Sequence, residues 1–91
     1  MHGEFKTPGG KLTVVDFDVV EGQLAHVVVS GDFFLYPEEA LEPILAALEG
    51  APVSLDEAAL AARVLGAVPN GVEMMGFSPQ AIAIAVRRAL G

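Results

Sequence analysis

The chain has 91 residues, of which 12 are acidic and five are lysine or arginine, so its formal charge at pH 7 is −7. That charge argues against binding to nucleic acid or to an anionic membrane surface, both of which attract basic surfaces. The absence of cysteine excludes disulfides and thiolate chemistry. No apolar run approaches the ~20 residues of a membrane-spanning helix, and no signal-peptide pattern opens the chain. We therefore expect one domain, residues 1–91, in the cytoplasm.

The first regular pattern is an alternation of apolar and polar residues over 12–31, which predicts a β-hairpin. We favour a three-residue turn at 20–22 with Gly22 in the left-handed conformation. This turn places on one face Thr13, Val15, Phe17, Val19, Ala25, Val27 and Val29. A two-residue turn at 21–22 would instead place His26 among these residues, and only the first register keeps one face apolar.

The residues after the hairpin have the spacing of helices. Segment 37–41 predicts a helical turn, because proline suits the first helical position and the acids that follow suit the positive end of a helix. In a helix interior Pro43 would remove a backbone hydrogen bond. We therefore expect either a separate helix from near Glu42 or one kinked helix, ending at Gly50 and Pro52.

The sequence predicts a second helix from 55 to about 65, preceded by a capping pattern. Ser54 and Glu57 have the spacing of a capping box, in which two side chains satisfy backbone N–H groups at the start of a helix. The residues that we expect to face the core at helical spacing are Leu55, Ala58, Ala59, Ala62 and Leu65.

The last helix begins at Ser78 and Pro79, which supply an N-cap and a proline at the first helical position. A turn at 68–71 and a possible short strand at 72–75 precede it. The residues expected to face inward are Ile82, Ala85, Val86, Ala89 and Leu90. Together these elements predict an α+β fold, in which an antiparallel β-hairpin, possibly with a third short strand, is covered on one face by about three helices.

The titratable residues do not form a catalytic constellation. A metal site would have to join the two histidines to carboxylates from distant parts of the chain, so we expect no metal. His26 is expected to pair with Asp16 across the hairpin, and His2 to lie at a frayed terminus. The sequence contains no nucleophile motif and no P-loop. We therefore expect no catalytic residue in this chain.

Both lysines, Lys6 and Lys11, flank one Pro-Gly-Gly segment in "KTPGGK". Gly9 and Gly10 permit close backbone approach, and amides exposed between two lysines can cradle an anion. An ordinary turn before a strand explains the same residues. The sequence alone leaves both interpretations open.

The stretch "SGDFFLYP", residues 30–37, follows the hairpin. Phe33 and Phe34 are neighbours, so in an extended segment one ring faces the core and the other faces away. The outward ring requires cover from a helix or from another protein.

Residues 5 to about 50 resemble the small C-terminal accessory domain of lipoate-protein ligases. The resemblance lies in the stretch "KTPGGKLTVVDFDV" and in the later stretch "VVVSGDFFLYPEEALEPILAALEG". The tail "GFSPQAIAIAVRRAL" is similar to the closing helix of that domain. The resemblance implies a partner, a large catalytic subunit that binds lipoate and ATP and makes lipoyl-AMP. That subunit then passes the lipoyl group to an acyl-carrier domain. The small domain supports the activation step, and this chain looks like its separate-polypeptide form.

The resemblance also implies roles for individual residues. Those near the partner's nucleotide site are Lys6, Gly9, Gly10 and Lys11. Those that contact the partner are Asp32, Phe33 and Phe34. This chain alone then binds no cofactor, while ATP with Mg and lipoate lie in the partner's site. The alternative is a free-standing interaction or homodimerisation module without an enzymatic role. The hydrophobic content of 53% favours this alternative, because it can leave apolar surface exposed for a partner.

Overall fold

The computed structural model describes residues 1–7, 11–32, 34–36, 38–69, 71, 73–75 and 78–91. Its elements in chain order are the strands and helices β1 (His2–Lys6), β2 (Leu12–Val20), β3 (Gln23–Gly31), β4 (Phe34–Tyr36), a 3-10 turn (Glu38–Ala40), α1 (Leu41–Leu48), α2 (Glu57–Ala67), β5 (Glu73–Met75) and α3 (Pro79–Leu90). β1, β2 and β3 form an antiparallel sheet in the order β1-β2-β3. α3 packs on β1 and β2, α1 packs on β3, and α2 packs on both other helices. The predicted α+β class is confirmed.

The third strand of this sheet is β1, which the sequence did not indicate. The expected short strand at 72–75 is present as β5, but it pairs with β4 in a separate two-stranded ribbon. Val72 lies outside the described residues. β1 pairs with β2 from His2 opposite Asp16 to Lys6 opposite Leu12. Because HGEFK contains a single large apolar residue, its alternation was too weak to identify a strand. In the described part of the chain, no helix is long and apolar enough to cross a membrane.

β2 and β3 are joined by a two-residue turn, Glu21-Gly22, whose residues have φ values of 52° and 76°. The expected three-residue turn at 20–22 is therefore wrong, although Gly22 does take the left-handed conformation. Two central residues at positive φ give a turn whose twist matches the right-handed twist of the strands that it joins.

A β-bulge in β3 shifts the register between the two strands. Near the turn Asp18 lies opposite Ala25, whereas farther along the hairpin Asp16 lies opposite Val28. β3 therefore contains one residue more than β2 over this stretch. His26 lies in the bulge at a φ of 55°, a conformation that is uncommon for a residue with a side chain.

The bulge keeps one face of the hairpin apolar. Neither the three-residue turn nor the two-residue turn, combined with regular alternation along both strands, predicts the residues of this face. Leu24 and Val27, three positions apart, are both buried. The uniform alternation predicted for the hairpin did not include Leu24 in the apolar face, so it missed this core residue. Val19 is 38% exposed and Ala25 is half-buried, so neither is a core residue. The remaining predicted face residues, all buried, are Thr13, Val15, Phe17, Val27 and Val29.

The carboxylate of Glu49 holds this bulge. Its Oε2 accepts a hydrogen bond from the backbone N–H of His26 at 3.1 Å, and its Oε1 accepts one from the N–H of Val27 at 2.5 Å. Glu49 is the C-cap residue of α1. One side chain thus joins the end of a helix to two N–H groups at the edge of the sheet, which would otherwise need water as a partner.

A 3-10 turn followed by a separate helix, the first of the two alternatives for 37–50, is confirmed. α1 begins at Leu41, so Pro43 is its third residue. The N–H groups of the first helical turn have no partner within the helix, so proline removes no hydrogen bond there. Pro37 lies outside the described residues.

α2 begins later than predicted and faces the other way. Its N-cap is Asp56, whose carboxylate accepts from the N–H of Ala59 at 2.8 Å, so the predicted capping box at Ser54 is not used. The residues buried on α2 are Leu60, Ala61 and Val64, whereas Leu65 is 58% exposed. Of the predicted inner stripe, Leu55 packs against the core and Ala59 is half-buried, whereas Ala58 and Ala62 are exposed. The prediction for the face of α2 is otherwise wrong, because alanines on every side of this helix leave the apolar period ambiguous.

The predicted start of α3 is confirmed. The Ser78 side chain accepts a hydrogen bond from the N–H of Ala81 at 3.0 Å, and Pro79 is the first helical residue. Ala89 and Leu90 are half-buried rather than buried. The predicted inward residues that are fully buried are Ile82, Ala85 and Val86. Arg87, in the last turn, donates to the carbonyls of Val53 and Leu55.

Thr13 is 0% exposed, and its Oγ1 has no hydrogen-bond partner among the described residues. We expect Thr13→Val to raise the free energy of unfolding by about 1 kcal/mol, because valine has the same shape and removes a buried hydroxyl that gains nothing. Urea denaturation would measure this change. Thr13→Ser, which keeps the hydroxyl and loses the methyl group, should destabilise instead. Loss of stability in Thr13→Val would mean that the hydroxyl has a partner in the protein.

Candidate functional site at one end of the sheet

Strand pairing brings the "KTPGGK" and "SGD" segments to the same end of the sheet. Lys6, the last residue of β1, lies opposite Leu12, the first residue of β2. Thr13, the next residue of β2, lies opposite Gly31, the last residue of β3. Two segments about twenty residues apart in sequence are therefore joined through β2.

Thr7 joins the two described ends of the "KTPGGK" motif. Its backbone N–H donates to the carbonyl oxygen of Lys11 at 2.7 Å, and its Oγ1 donates to the same oxygen at 3.0 Å. These two bonds hold together the residues before and after segment 8–10. Thr7 was not among the predicted site residues, since its role depends on the pairing of β1 with β2.

On the other side of β2, the β3 exit, which is formed by Gly31 and Asp32 at the end of β3, lies against Leu12. The N–H of Asp32 donates to the Leu12 carbonyl oxygen at 2.9 Å. Gly31 has a φ of 143°, and a Cβ atom there would stand 2.0 Å from the same oxygen. Only glycine fits this approach. The sequence analysis assigned a role to Asp32 but missed Gly31. The signal that could have identified Gly31 was a glycine at the end of a predicted strand, directly before an aspartate.

Three of the seven predicted site residues meet at this end of the sheet: Lys6, Lys11 and Asp32 are adjacent through these pairs and are all exposed. Phe34 begins β4, two positions after Asp32. The others, which lie outside the described residues, are Gly9, Gly10 and Phe33. The predicted contacts with a nucleotide site and with a partner stay predictions.

The charges of the described residues set this end apart. Arg63, Arg87 and Arg88 each donate to backbone carbonyls, and Arg88 also lies over the Phe5 ring, 5.1 Å from its centroid. The ion pairs of the described residues involve only histidines and carboxylates. Lys6 and Lys11 therefore have exposed side chains with no described carboxylate as a partner. An anion or an acidic surface is the ligand chemistry that such a loop suits.

The face of the sheet away from the helices carries both histidines. His2 Nδ1 lies 2.7 Å from Asp16 Oδ1, and His2 Nε2 lies 2.6 Å from Glu4 Oε2. His26 Nδ1 lies 3.0 Å from Asp18 Oδ2. The expected His26–Asp16 pair and the frayed His2 are therefore wrong, because β1 brings His2 to Asp16 and the bulge carries His26 past it. No group of three metal-ligating side chains occurs within the described ranges.

His2 makes the stability of the fold depend on pH. The hydrogen bond to Glu4, and after it the one to Asp16, raises the pKa of His2 above its ordinary value of 6.5. The protonated ring therefore contributes stability that is fully present below the unfolded pKa and is lost as the pH rises through the folded pKa.

We expect the urea midpoint of wild type to exceed that of His2→Gln at about pH 5.5, and the difference to fade by about pH 9 as the His2 ring loses its proton. Denaturation curves across this range, together with an NMR titration of the ring, would measure the effect. A difference that stays constant across the range would contradict it.

A second surface feature is a shallow groove of 410 Å³ on α2 and the start of α3. Its walls are mainly small apolar side chains, with the exposed Leu65 and the polar Glu57 and Gln80. No cluster of titratable groups lines it. The groove offers apolar contact area but no group for acid–base or nucleophilic chemistry.

The sequence matches no protein-family profile and no curated protein. The fold matches a chain in the solved structure of an archaeal lipoylation system from Thermoplasma acidophilum, a bi-partite lipoate protein ligase and its E2 lipoyl domain, with a TM-score of 0.70 and 22% identity. The match covers 96% of this chain and 98% of that chain, so it extends over both molecules. The resemblance inferred from the motifs is thereby confirmed for the fold. This protein has the fold of a chain from a bipartite lipoate ligase system.

Proposed function

We propose that this chain is the accessory subunit of a two-part lipoate ligase and supports ATP-dependent activation of lipoate to lipoyl-AMP by a separate catalytic subunit. One observation carries the proposal. Lys6 and Lys11 of the "KTPGGK" motif lie beside Gly31 and Asp32 of the "SGD" motif at one end of the sheet, and the fold is that of a chain from a bi-partite lipoate ligase system. In this proposal the cytoplasmic catalytic subunit holds ATP, Mg and lipoate, and lipoyl acyl-carrier domains receive the product.

The division of labour follows from the chemistry of the chain. In this proposal the bond-forming step belongs to the catalytic subunit, and this chain supplies only contacts to it. An exposed lysine contributes only ~0–1 kcal/mol to a contact in water. Against a phosphate at an interface that excludes water, the same lysine contributes more. Lys6 and Lys11 therefore act only in the assembled ligase, where one of Phe33 or Phe34 and the turn at Asp32 contact the catalytic subunit.

Pyrophosphate release tests this function. The catalytic subunit of the same organism is assayed with ATP, Mg and lipoate, with and without this chain. Release that rises with the concentration of added chain supports the proposal, and no dependence well above micromolar concentrations overturns it. The intact mass of the chain after the reaction provides a control, since a lipoyl acceptor would gain one lipoyl group on a lysine and an accessory subunit would not.

Lys11→Ala is expected to slow pyrophosphate release about tenfold, the effect of losing one charge-assisted hydrogen bond of ~1.5 kcal/mol. Lys11 is exposed, so the melting temperature should stay within a few degrees of wild type. Lys11→Arg keeps the positive charge and should retain more activity than Lys11→Ala. Unchanged release in Lys11→Ala would remove Lys11 from the site.

The exposed apolar side chains favour one other function. Val28 is 56% exposed on the open sheet face, and Leu65 is 58% exposed beside the α2 groove. Such surfaces suit an interaction or homodimerisation module without an enzymatic role. Analytical ultracentrifugation separates the two functions. A tight homodimer that does not bind the ligase supports the module, whereas a chain that associates with the catalytic subunit supports the accessory role.

A further inference from the structure

We infer that Thr7 is the positioning residue of this site and that its hydroxyl fixes the position of the Lys11 Cα atom, from which the lysine side chain extends. The inference rests on the proposed function for its consequence in the ligase, but not for its structural content. Thr7 lies within the "KTPGGK" motif, but the roles proposed for that motif involve only its lysines and glycines.

The first step is that the Lys11 carbonyl oxygen accepts two hydrogen bonds, both from Thr7. The backbone N–H bond of 2.7 Å continues the pairing of β1 with β2, and any residue at position 7 other than proline could make it. The hydroxyl bond of 3.0 Å requires serine or threonine. The side chain therefore adds a restraint that strand pairing alone does not supply.

The second step is that two successive carbonyls of β2 are held from opposite sides. Thr7 holds the Lys11 carbonyl from β1, and the N–H of Asp32 holds the Leu12 carbonyl from the β3 exit. Because each peptide unit is planar, these two anchored carbonyls restrict the backbone dihedrals of Leu12, which lies between them. The planar unit between Lys11 and Leu12 also contains the Lys11 Cα atom, so the position of that atom is set.

The third step separates positioning from folding. Both partners of the hydroxyl bond lie at the surface, where loss of one neutral hydrogen bond has a small effect because water replaces it. A lysine side chain is flexible and loses rotamer freedom when it binds, so it gains from a base that is already in place. Loss of the Thr7 hydroxyl should therefore alter the action of Lys11 more than the stability of the chain.

The experiment compares Thr7→Val, which removes the hydroxyl and keeps the backbone N–H, with Thr7→Ser, which keeps both donors. The matched control is Ser54→Ala, since Ser54 is exposed and makes no described hydrogen bond. Each variant is titrated into the pyrophosphate assay with the catalytic subunit. Backbone order parameters of Lys11 and Leu12 are measured by NMR on the free chain.

For Thr7→Val we expect the maximal rate at saturating chain to fall about fivefold, the equivalent of one hydrogen bond. The concentration for half-maximal stimulation and the melting temperature should change little. The order parameter of the Leu12 amide, whose N–H shares a peptide unit with the Lys11 carbonyl, should fall in Thr7→Val alone. Thr7→Ser and Ser54→Ala should match wild type in every readout.

Two results overturn the inference. One is an unchanged order parameter of the Leu12 amide in Thr7→Val, and the other is a rate loss that Thr7→Ser does not restore. If wild type itself fails to stimulate pyrophosphate release, the proposed function fails, and the order parameters still decide whether Thr7 positions Lys11.

Discussion

Replacing Gly3 by alanine is expected to lower the free energy of unfolding by about 3 kcal/mol, and the melting temperature by on the order of 15 °C. Gly3 lies in β1 where this strand crosses α3. A Cβ atom at Gly3 would stand 2.0 Å from the carbonyl oxygen of Ala85 and 2.9 Å from the Cβ of Ala89. Because the first of these atoms is helix backbone, it cannot move aside as a flexible side chain could. Either β1 or α3 must shift, and the contacts of both with the core weaken.

Gly66→Ala is the matched control for this change. Gly66 lies in α2, and a Cβ atom there meets nothing within 4 Å. The same substitution should therefore raise stability by about 0.5–1 kcal/mol, since alanine favours the helix more than glycine does. Urea denaturation of both variants gives the comparison. If Gly3→Ala proved as stable as wild type, β1 would not lie against α3 as the structure has it.

Replacing Glu49 by alanine is expected to lower the free energy of unfolding by about 2 kcal/mol, because two backbone N–H groups in the β3 bulge lose a charged acceptor. The bulge contains His26 at positive φ, which by itself opposes this conformation. The loss should therefore appear first as local opening, with faster hydrogen exchange at the Val27 amide than in wild type.

Two variants place the effect on the carboxylate. Glu49→Gln keeps one acceptor oxygen and should cost about half as much, since its amide group can accept only one of the two bonds. Glu39→Ala removes an exposed acid from the 3-10 turn with no described partner and should change stability by less than about 0.5 kcal/mol. Equal losses in Glu39→Ala and Glu49→Ala would point to net charge rather than to the bulge.

The best sequence predictions rested on signals within one turn of helix. Ser78 and Pro79 define the start of α3 because an N-cap and an N1 proline act on the nearest backbone groups. At α2 the spacing of Ser54 and Glu57 predicted a cap at Ser54, whereas the structure uses Asp56, two residues later. The alternation over 12–31 identified the hairpin but not its register. The extra residue that the prediction placed in a three-residue turn lies instead in the bulge at His26.

For the candidate site, the motif resemblance selected Lys6, Lys11 and Asp32, and the structure brings these three together. It did not select Thr7 or Gly31. Thr7 matters because it binds the Lys11 carbonyl oxygen, and Gly31 matters because it lies close to the Leu12 carbonyl oxygen. Only the pairing of three strands brings these residues together.

The amino-acid sequence by itself determined the α+β class, the hairpin, the start of α3 and the concentration of both lysines around one loop, because each depends on side chains close together in the chain. Tertiary structure decided that β1 is a strand, which face of α2 is buried and where the β3 bulge lies. These features depend on contacts between distant segments, such as Gly3 with Ala85 and Glu49 with Val27. Local preference is too weak to specify them, and only burial in a common core makes one arrangement more stable than the others.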